Sequence, residues 1–360
     1  MTHEKPDTPE DQRPLHLPAD RARAFCQDVF SQLGAPEDEA RTCSDLIVET
    51  SLRGIDSHGI TILPVYARRI RSGQIRPGVQ PEVVRQNGVT ALMDGRQGLG
   101  HVTSVVAMDL AISKALDAGV GAVSAFNLNH NGAISLYALR AAERGLIGLC
   151  MANATPRVAP YGGREGVHGT NPIAYAIPAG TPIVFDCATG HAAAPIARAK
   201  EAGRPIPPGV ALDREGRPTT DAGTALEGWL LPVGGVIGYG FGLLVDVLVG
   251  ALSGSCCGKD VPPVSDLTSP YGCGFFALAL DPSRFAGEER FRERVDFLTR
   301  SVRACPPMKG MEEVRLPGQR GDAERGRRLR EGIPFEGEGW RRLMEALAAC
   351  GLDVAPWQVP

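Results

Sequence analysis

Two histidines stand where a chain could carry out proton transfer. One lies in Asn127-Leu-Asn-His130-Asn-Gly132, the other in Arg53-Gly-Ile-Asp-Ser-His58-Gly59. Imidazole titrates near neutral pH, so it gives or takes a proton without a large pKa shift. Each histidine is closely followed by a glycine, which permits backbone shapes other residues resist and lets a ligand approach. A buried histidine with satisfied hydrogen bonds explains either motif alone. Two further loops, Pro160-Tyr-Gly-Gly163 and Gly169-Thr-Asn-Pro172, combine glycine with amide or hydroxyl side chains. Such loops form anion-binding nests or plain tight turns.

The elements around these motifs follow from periodicity. Ala24, Phe25, Val29, Phe30 and Leu33 share one face of a helix that starts at Pro18-Ala-Asp20 and ends at Gly34. A second helix, about 36–52, runs into the His58 motif, and a third covers about 63–70. Strand and turn signals follow at 82–85 and 89–95. A helix over 103–118 ends at Gly119. The short strand 121–126 then delivers the Asn127–Gly132 loop. Helix 133–144, strand 146–152 and two strands within 172–186 continue the alternation, which predicts an α/β class, a mixed sheet flanked by helices. Residues 203–235 read as Gly- and Pro-rich loops, 239–252 as a buried helix, and 273–280 as a strand. Two helices, about 285–303 and 338–351, flank a Gly- and Arg-rich loop, and residues 1–15 read as disordered.

Composition excludes several function classes. The 360 residues are 43% hydrophobic and 22% charged with net charge −3, ordinary globular values without a basic footprint for nucleic acid or membrane surfaces. The alternating charges over 320–330 read as a solvated face. Nine cysteines show no CxxC spacing, so no metal site is expected. The polar segment Met1–Pro18 has no apolar core of a signal peptide, which points to reduced thiols in a cytoplasm. The apolar run over 241–252 contains Asp246 and is too short to span a bilayer. There is no P-loop, GxSxG or HExxH motif. Gly238-Tyr-Gly240-Phe-Gly242 lacks the spacing and the preceding strand of a Rossmann fingerprint.

Taken in order, the motifs resemble the second malate/L-lactate dehydrogenase family. This NAD(P)-dependent group includes ureidoglycolate and sulfolactate dehydrogenases and cyclic-imine carboxylate reductases. The matching stretches are the two histidine motifs, Ala159-Pro-Tyr-Gly-Gly163, Gly169-Thr-Asn-Pro172, Phe185-Asp-Cys-Ala-Thr189, Ala211-Leu-Asp-Arg-Glu-Gly-Arg-Pro-Thr-Thr220, Leu231-Pro-Val-Gly-Gly235 and Leu316-Pro-Gly318. The resemblance spans roughly residues 20–355. It implies a non-Rossmann NAD- or NADP-binding fold, with the mixed-sheet domain at 81–282 and a helical substrate and dimerisation part from 16–80 plus 283–360. It also implies a homodimer acting on a small molecule. His130 would be the proton donor and acceptor, and His58 would line the substrate pocket with Ser57, Ile62 and Asn129. Asn153, Gly162, Gly163, Thr170, Asn171, Asp186, Ala188, Thr189, Ile237, Pro317 and Gly318 would approach the cofactor.

The chain departs from that family pattern in charge. The family carries Arg where Ile62 stands and Lys where Ile237 stands; Asn131 replaces an aromatic residue and Gly190 a serine. Isoleucine cannot clamp a carboxylate bidentately. The expected activity is therefore NAD(P)H-dependent hydride transfer to or from a C=O or C=N carbon of a substrate other than a simple 2-keto acid. The alternative is a scaffold without redox turnover, which catalyses a proton transfer or cyclisation or only binds a ligand.

Overall fold

In the computed structural model, residues 15–263 and 265–358 are described. The expected disorder at 1–15 lies outside them except for Leu15, which opens a strand. The described residues form two compact units: those up to Gly78 together with those from Arg320, and those from Val79 to Gln319.

The first unit begins with β1 (Leu15–Leu17), α1 (Ala19–Gln32), α2 (Glu37–Leu52) and α3 (Leu63–Arg71). Ala22, Phe25, Cys26, Val29 and Phe30 form the buried stripe of α1, the three-and-four spacing of an amphipathic helix. After α2 the chain makes two 3-10 turns, Asp56–His58 and Ile60–Ile62.

The second unit follows with β2 (Glu82–Asn87), β3 (Thr90–Asp94), α4 (Gly100–Ala118), β4 (Val120–Leu128), α5 (Ser135–Ala142), β5 (Ile147–Ala152), β6 (Ile173–Ile177) and β7 (Ile183–Cys187). Next come α6 (Ala193–Glu201), β8 (Ala211–Leu212), β9 (Pro218–Thr219), α7 (Ala222–Glu227), β10 (Trp229–Leu230), α8 (Val236–Val245), β11 (Cys273–Leu280) and α9 (Glu288–Arg303). The seven-stranded sheet has the order β2-β3-β4-β11-β5-β6-β7. Its β3–β4 pair is parallel and the others are antiparallel. A parallel pair needs a crossover, and α4 supplies it, burying Ala107, Met108, Ala111, Ile112 and Ala115.

The chain returns to the first unit as α10 (Gln319–Glu331), β12 (Ile333–Phe335) and α11 (Gly337–Ala348). Strand β12 pairs antiparallel with β1, so both ends of the described chain share one ladder. Phe25 packs between the rings of Trp340 and Trp357, each centroid 5.2 Å away.

Four sequence expectations change. Residues 203–235 hold α7 and a small sheet, β10-β8-β9, rather than loops alone. Residues 320–330 are helical, because Glu324 pairs with Arg327 and Arg328 along one turn while Arg327 also reaches Glu331. They are not wholly a solvated face, since Arg328 is buried. Residues 283–319 cluster with the sheet unit rather than the helical one. Arg284 donates to the carbonyls of Leu116 and Asp117, and Pro317 accepts from the Val184 N–H. Finally, the helix expected to be buried at 239–252 is buried on one side only. Gly238, Gly242, Val245, Asp246 and Val249 are covered, whereas Val236, Ile237, Phe241, Leu244 and Val247 are exposed.

Candidate active site

His130 stands on a turn locked from every side. Asn129 and Asn131 are buried on either side of it, while His130 itself stays half-exposed. The Asn129 amide donates to the carbonyls of Gln97 and Gly98 at 3.4 and 3.5 Å. The sequence places Asn129 in the substrate pocket; the structure gives its amide a task inside the loop. Asn131 donates to Ser104 Oγ at 2.8 Å, and its carbonyl accepts from the Tyr137 hydroxyl at 2.5 Å. Asn127 adopts φ 54°, a left-handed shape that asparagine tolerates. Below the turn, Gly100 opens α4 so closely that a Cβ would fall 2.2 Å from the Asn129 carbonyl oxygen and 2.5 Å from that of His130.

His101 is a functional-region residue that the motif reading missed. Burial pushes its imidazole down to about 3, so it stays neutral. A Cβ on Gly132, which has φ +71°, would lie 2.9 Å from His101 Nε2. The glycine after His130 is thus required twice, by backbone shape and by the neighbouring ring.

The expected cofactor loops converge within the same unit. The Thr189 N–H and hydroxyl donate to the Thr170 carbonyl at 2.9 and 3.2 Å, and the hydroxyl also reaches the Asn171 carbonyl at 3.0 Å. Asn171 is fully buried; its amide donates to the Gly242 carbonyl at 2.9 Å and its side-chain oxygen accepts from the Ala154 N–H at 3.2 Å. Val233 donates to the Thr189 carbonyl at 2.9 Å. Gly162 (φ +80°) and Gly163 close an exposed turn, and the Tyr161 ring lies against Gly235 just before α8. Ile237, on the first turn of α8, is 65% exposed. Gly190 is explained by its neighbour: a Cβ there would meet Val158 at 2.4 Å, so serine does not fit beside this valine.

Asp186 ties this region to the His130 turn. Its carboxylate accepts from the Ser135 N–H at 3.1 Å, at the start of α5. The side chain keeps accessible surface, yet desolvation by the protein around it holds its carboxyl above the usual carboxylate range. Cys187 Sγ donates to the Ala188 carbonyl at 3.0 Å.

Three further expected cofactor residues make contacts inside the sheet unit. Asn153 is buried; it donates to the Cys256 carbonyl at 2.8 Å and accepts from the Gly274 N–H at 2.9 Å. Pro317 and Gly318 lie along β7, at the sheet edge. Spacing also did not reveal the buried pair His168 and Asp246, whose Nδ1 and Oδ2 are 2.7 Å apart. Residues so distant in sequence carry no local signal of pairing.

Ser57, His58 and Ile62 belong to the other unit. His58 Nδ1 lies 2.9 Å from Ser57 Oγ, and desolvation lowers the histidine's pKa. Ile62 is half-buried at the end of the second 3-10 turn. Gly59 is again a contact requirement: a Cβ would fall 2.0 Å from Ser51 Oγ. No group of three or more His, Cys, Asp or Glu side chains among the described residues could hold a metal.

A mixed sheet without a Rossmann fingerprint, glycine–amide loops and a presented histidine define a non-Rossmann nucleotide-dependent oxidoreductase. The sequence profile of the malate/L-lactate dehydrogenase family matches residues 17–344, and the chain belongs to that family. It is 38% identical to a malate dehydrogenase of Pyrococcus horikoshii, over 94% of this chain and 95% of the relative. Identity is 33% with the ureidoglycolate dehydrogenase (NAD(+)) of Escherichia coli K12, over 88% and 92%. It is 35% with a (2R)-3-sulfolactate dehydrogenase (NADP(+)) of Chromohalobacter salexigens, over 86% and 92%. The solved sulfolactate dehydrogenase of Methanocaldococcus jannaschii superposes with a TM-score of 0.89 at 34% identity, over 95% of this chain and 99% of that one. The chain is thus an NAD(P)-dependent oxidoreductase.

The contacts beneath the His130 turn can be tested directly. Gly132→Ala should destabilise the protein by about 1–3 kcal/mol through strained backbone and displacement of His101. Denaturant titration should show a lower midpoint, and a wild-type midpoint would mean that the turn relaxes freely.

Proposed function

We propose that this enzyme moves hydride to or from the oxygen- or nitrogen-bearing carbon of a small metabolite other than a simple 2-keto acid. The observation that carries this reading is the locked turn presenting His130 in the unit that holds the glycine–amide loops. Those loops fit a dinucleotide. Thr170, Asn171 and Thr189 hold the backbone rigid, Gly162 leaves open space, and Tyr161 and Ile237 offer exposed apolar surface. With Gly162, Gly163, Asp186 and Ala188, these residues would hold the cofactor. When bound, the cofactor supplies the hydride chemistry.

In this reading His130 gives or removes the proton at the substrate heteroatom. Its fixed backbone keeps the imidazole aligned without reorganisation. His58, with Ser57, contacts substrate, and its low pKa keeps it neutral and able to donate or accept a hydrogen bond. Ile62 makes the substrate surface less attractive to a free carboxylate than the family arginine would. Ile237 leaves the diphosphate to backbone N–H groups rather than to a cation.

Two further properties belong to the proposal. The enzyme works as a homodimer, with α8 in the contact. The supporting observation is the exposed apolar row Val236, Phe241, Leu244 and Val247, since a helix apolar all round needs cover. The end helices were expected to share in the contact, yet Phe25, Leu343 and Leu347 are already buried within their own unit. The site of action is the cytoplasm. All nine cysteines are free thiols, and no described helix is long and apolar enough to cross a membrane.

Light scattering should give twice the 38.1 kDa chain mass, and the pair Phe241→Asp with Leu244→Asp should give monomers. A wild-type monomer at micromolar concentration would contradict the dimer.

His130→Ala should reduce turnover by roughly 10²–10⁴ while leaving the denaturation midpoint nearly unchanged. The assay is NAD- and NADP-linked oxidation of 3-sulfolactate and ureidoglycolate. Full activity in the variant would move the proton-transfer role elsewhere.

Ile62→Arg should create a carboxylate site, because a well-placed ionised hydrogen bond contributes roughly 1.5–3 kcal/mol. An unpartnered buried arginine costs at least as much, so the gain should appear only with an anionic ligand. Ile237→Lys should separately tighten NADH binding, read by nicotinamide fluorescence. The double variant should reduce pyruvate or oxaloacetate measurably, with the wild type nearly inactive on both. Efficient reduction by the wild type would refute the role given to Ile62.

A further inference from the structure

The 3-10 turn carrying His58 has little apolar packing of its own, since none of Asp56, Ser57 and His58 is buried. Local backbone bonds close it: His58 N–H to the Ile55 carbonyl at 3.0 Å, and the Thr61 hydroxyl to the Asp56 carbonyl at 2.6 Å. A distant side chain supplies the rest. Arg328 of α10 reaches Asp56 with both terminal nitrogens, Nη1 to Oδ1 and Nη2 to Oδ2, the latter at 3.1 Å. Its Nη1 also donates to the Ser51 carbonyl at 2.7 Å, in the last turn of α2. The same Ser51 receives the Ile60 N–H on its hydroxyl at 2.9 Å. One buried guanidinium thus joins the end of α2 to the first residue of the turn.

The charges around it are matched. Glu324 accepts Arg328 Nε and Arg327 Nη2. Glu49 takes Arg53 and Arg325, and Asp322 takes the other end of Arg53. Arg328 is the member of this network that contacts the His58 turn through the Asp56 carboxylate. A planar two-pronged contact fixes orientation as well as distance, which lysine cannot reproduce.

We propose that Arg328 is a positioning residue for the reaction, holding the Asp56–His58 turn so that the His58 imidazole keeps one orientation. This rests on the substrate-contacting role given to His58 above.

The test uses the full-length protein with ring-13C-labelled histidine, the His58 resonance being assigned by its loss in His58→Ala. In Arg328→Lys the His58 signal should shift or broaden, while those of His168 and His191 stay in place. Glu324→Gln removes another partner of Arg328 but leaves the Asp56 contact, so it should lower Tm without moving the His58 signal. In wild type, Arg328→Lys should lower kcat at least tenfold on whichever of 3-sulfolactate or ureidoglycolate turns over, with the Kd for NADH unchanged. In a His58→Ala background the same substitution should have no further effect on kcat. An unmoved His58 signal in Arg328→Lys overturns the proposal, as does an equal movement in Glu324→Gln or an undiminished effect in the His58→Ala background. If His58→Ala itself keeps full turnover, the substrate role of His58 fails, and the resonance still decides whether Arg328 orients the ring.

Discussion

A contact between two backbones governs the larger unit. Strand β4 ends where α4 begins, and Gly100 brings them so near that a methyl group could not fit between. The parallel β3–β4 pair requires a helix to cross from one strand to the next. Once α4 starts at Gly100, the chain leaving β4 must turn over its first residues. Asn129, Asn131 and Gly132 fit that space through hydrogen bonds to loop 97–98 and Ser104 and through contact with His101. His130 is the residue this arrangement leaves partly open. Its presentation follows from crossover geometry, with packing on both sides removing the conformational freedom that a catalytic imidazole would otherwise lose on binding.

Desolvation lowers the His58 pKa, and a hydroxyl lies beside the ring. The nearby charge of Asp56 is engaged by Arg328. Asp186 is held above the ordinary carboxylate range although it accepts an N–H at a helix start, where the dipole favours the ionised form. Desolvation wins over the dipole there.

The sequence exposes the periodic parts of this molecule well. Helices α1, α2, α3 and α11, the crossover helix and β11 all follow from apolar spacing, and the two histidine motifs mark their turns. Contacts between distant residues are invisible at that level. Helix α10 has few apolar residues, so its ion pairs define it, and those depend on side-chain geometry. His168 and Asp246 are 78 positions apart, and nothing near either announces the other. The resemblance implies ligand roles for Asn129 and Asn153, and only the fold shows the internal hydrogen bonds of their amides. Gly190 reads as a loss of serine until Val158 is seen occupying the space.

Helix α8 shows why apolar composition alone misleads. Every face of it is apolar, which by periodicity means full burial. Its inner side is fixed by particular contacts: Asn171 on the Gly242 carbonyl, Gly238 against Val233, and Asp246 on His168. At Asp246 the helix widens into a π-helical stretch, Asp246–Ala251, where Leu252 N–H reaches the Val247 carbonyl. Ser124 and Ser253 supply hydroxyl donors to the Leu248, Val249 and Gly250 carbonyls. The extra residue in that turn changes the helix phase, so the residues before and after it do not continue one stripe. Removing one member of a buried hydrogen-bonded pair such as His168–Asp246 typically costs roughly 1–3 kcal/mol. The pair therefore anchors the helix rotation more firmly than nonspecific apolar contact could. The outer row from Val236 to Val247 is left facing outward by that rotation, and its exposure is a consequence of how the inner face is held.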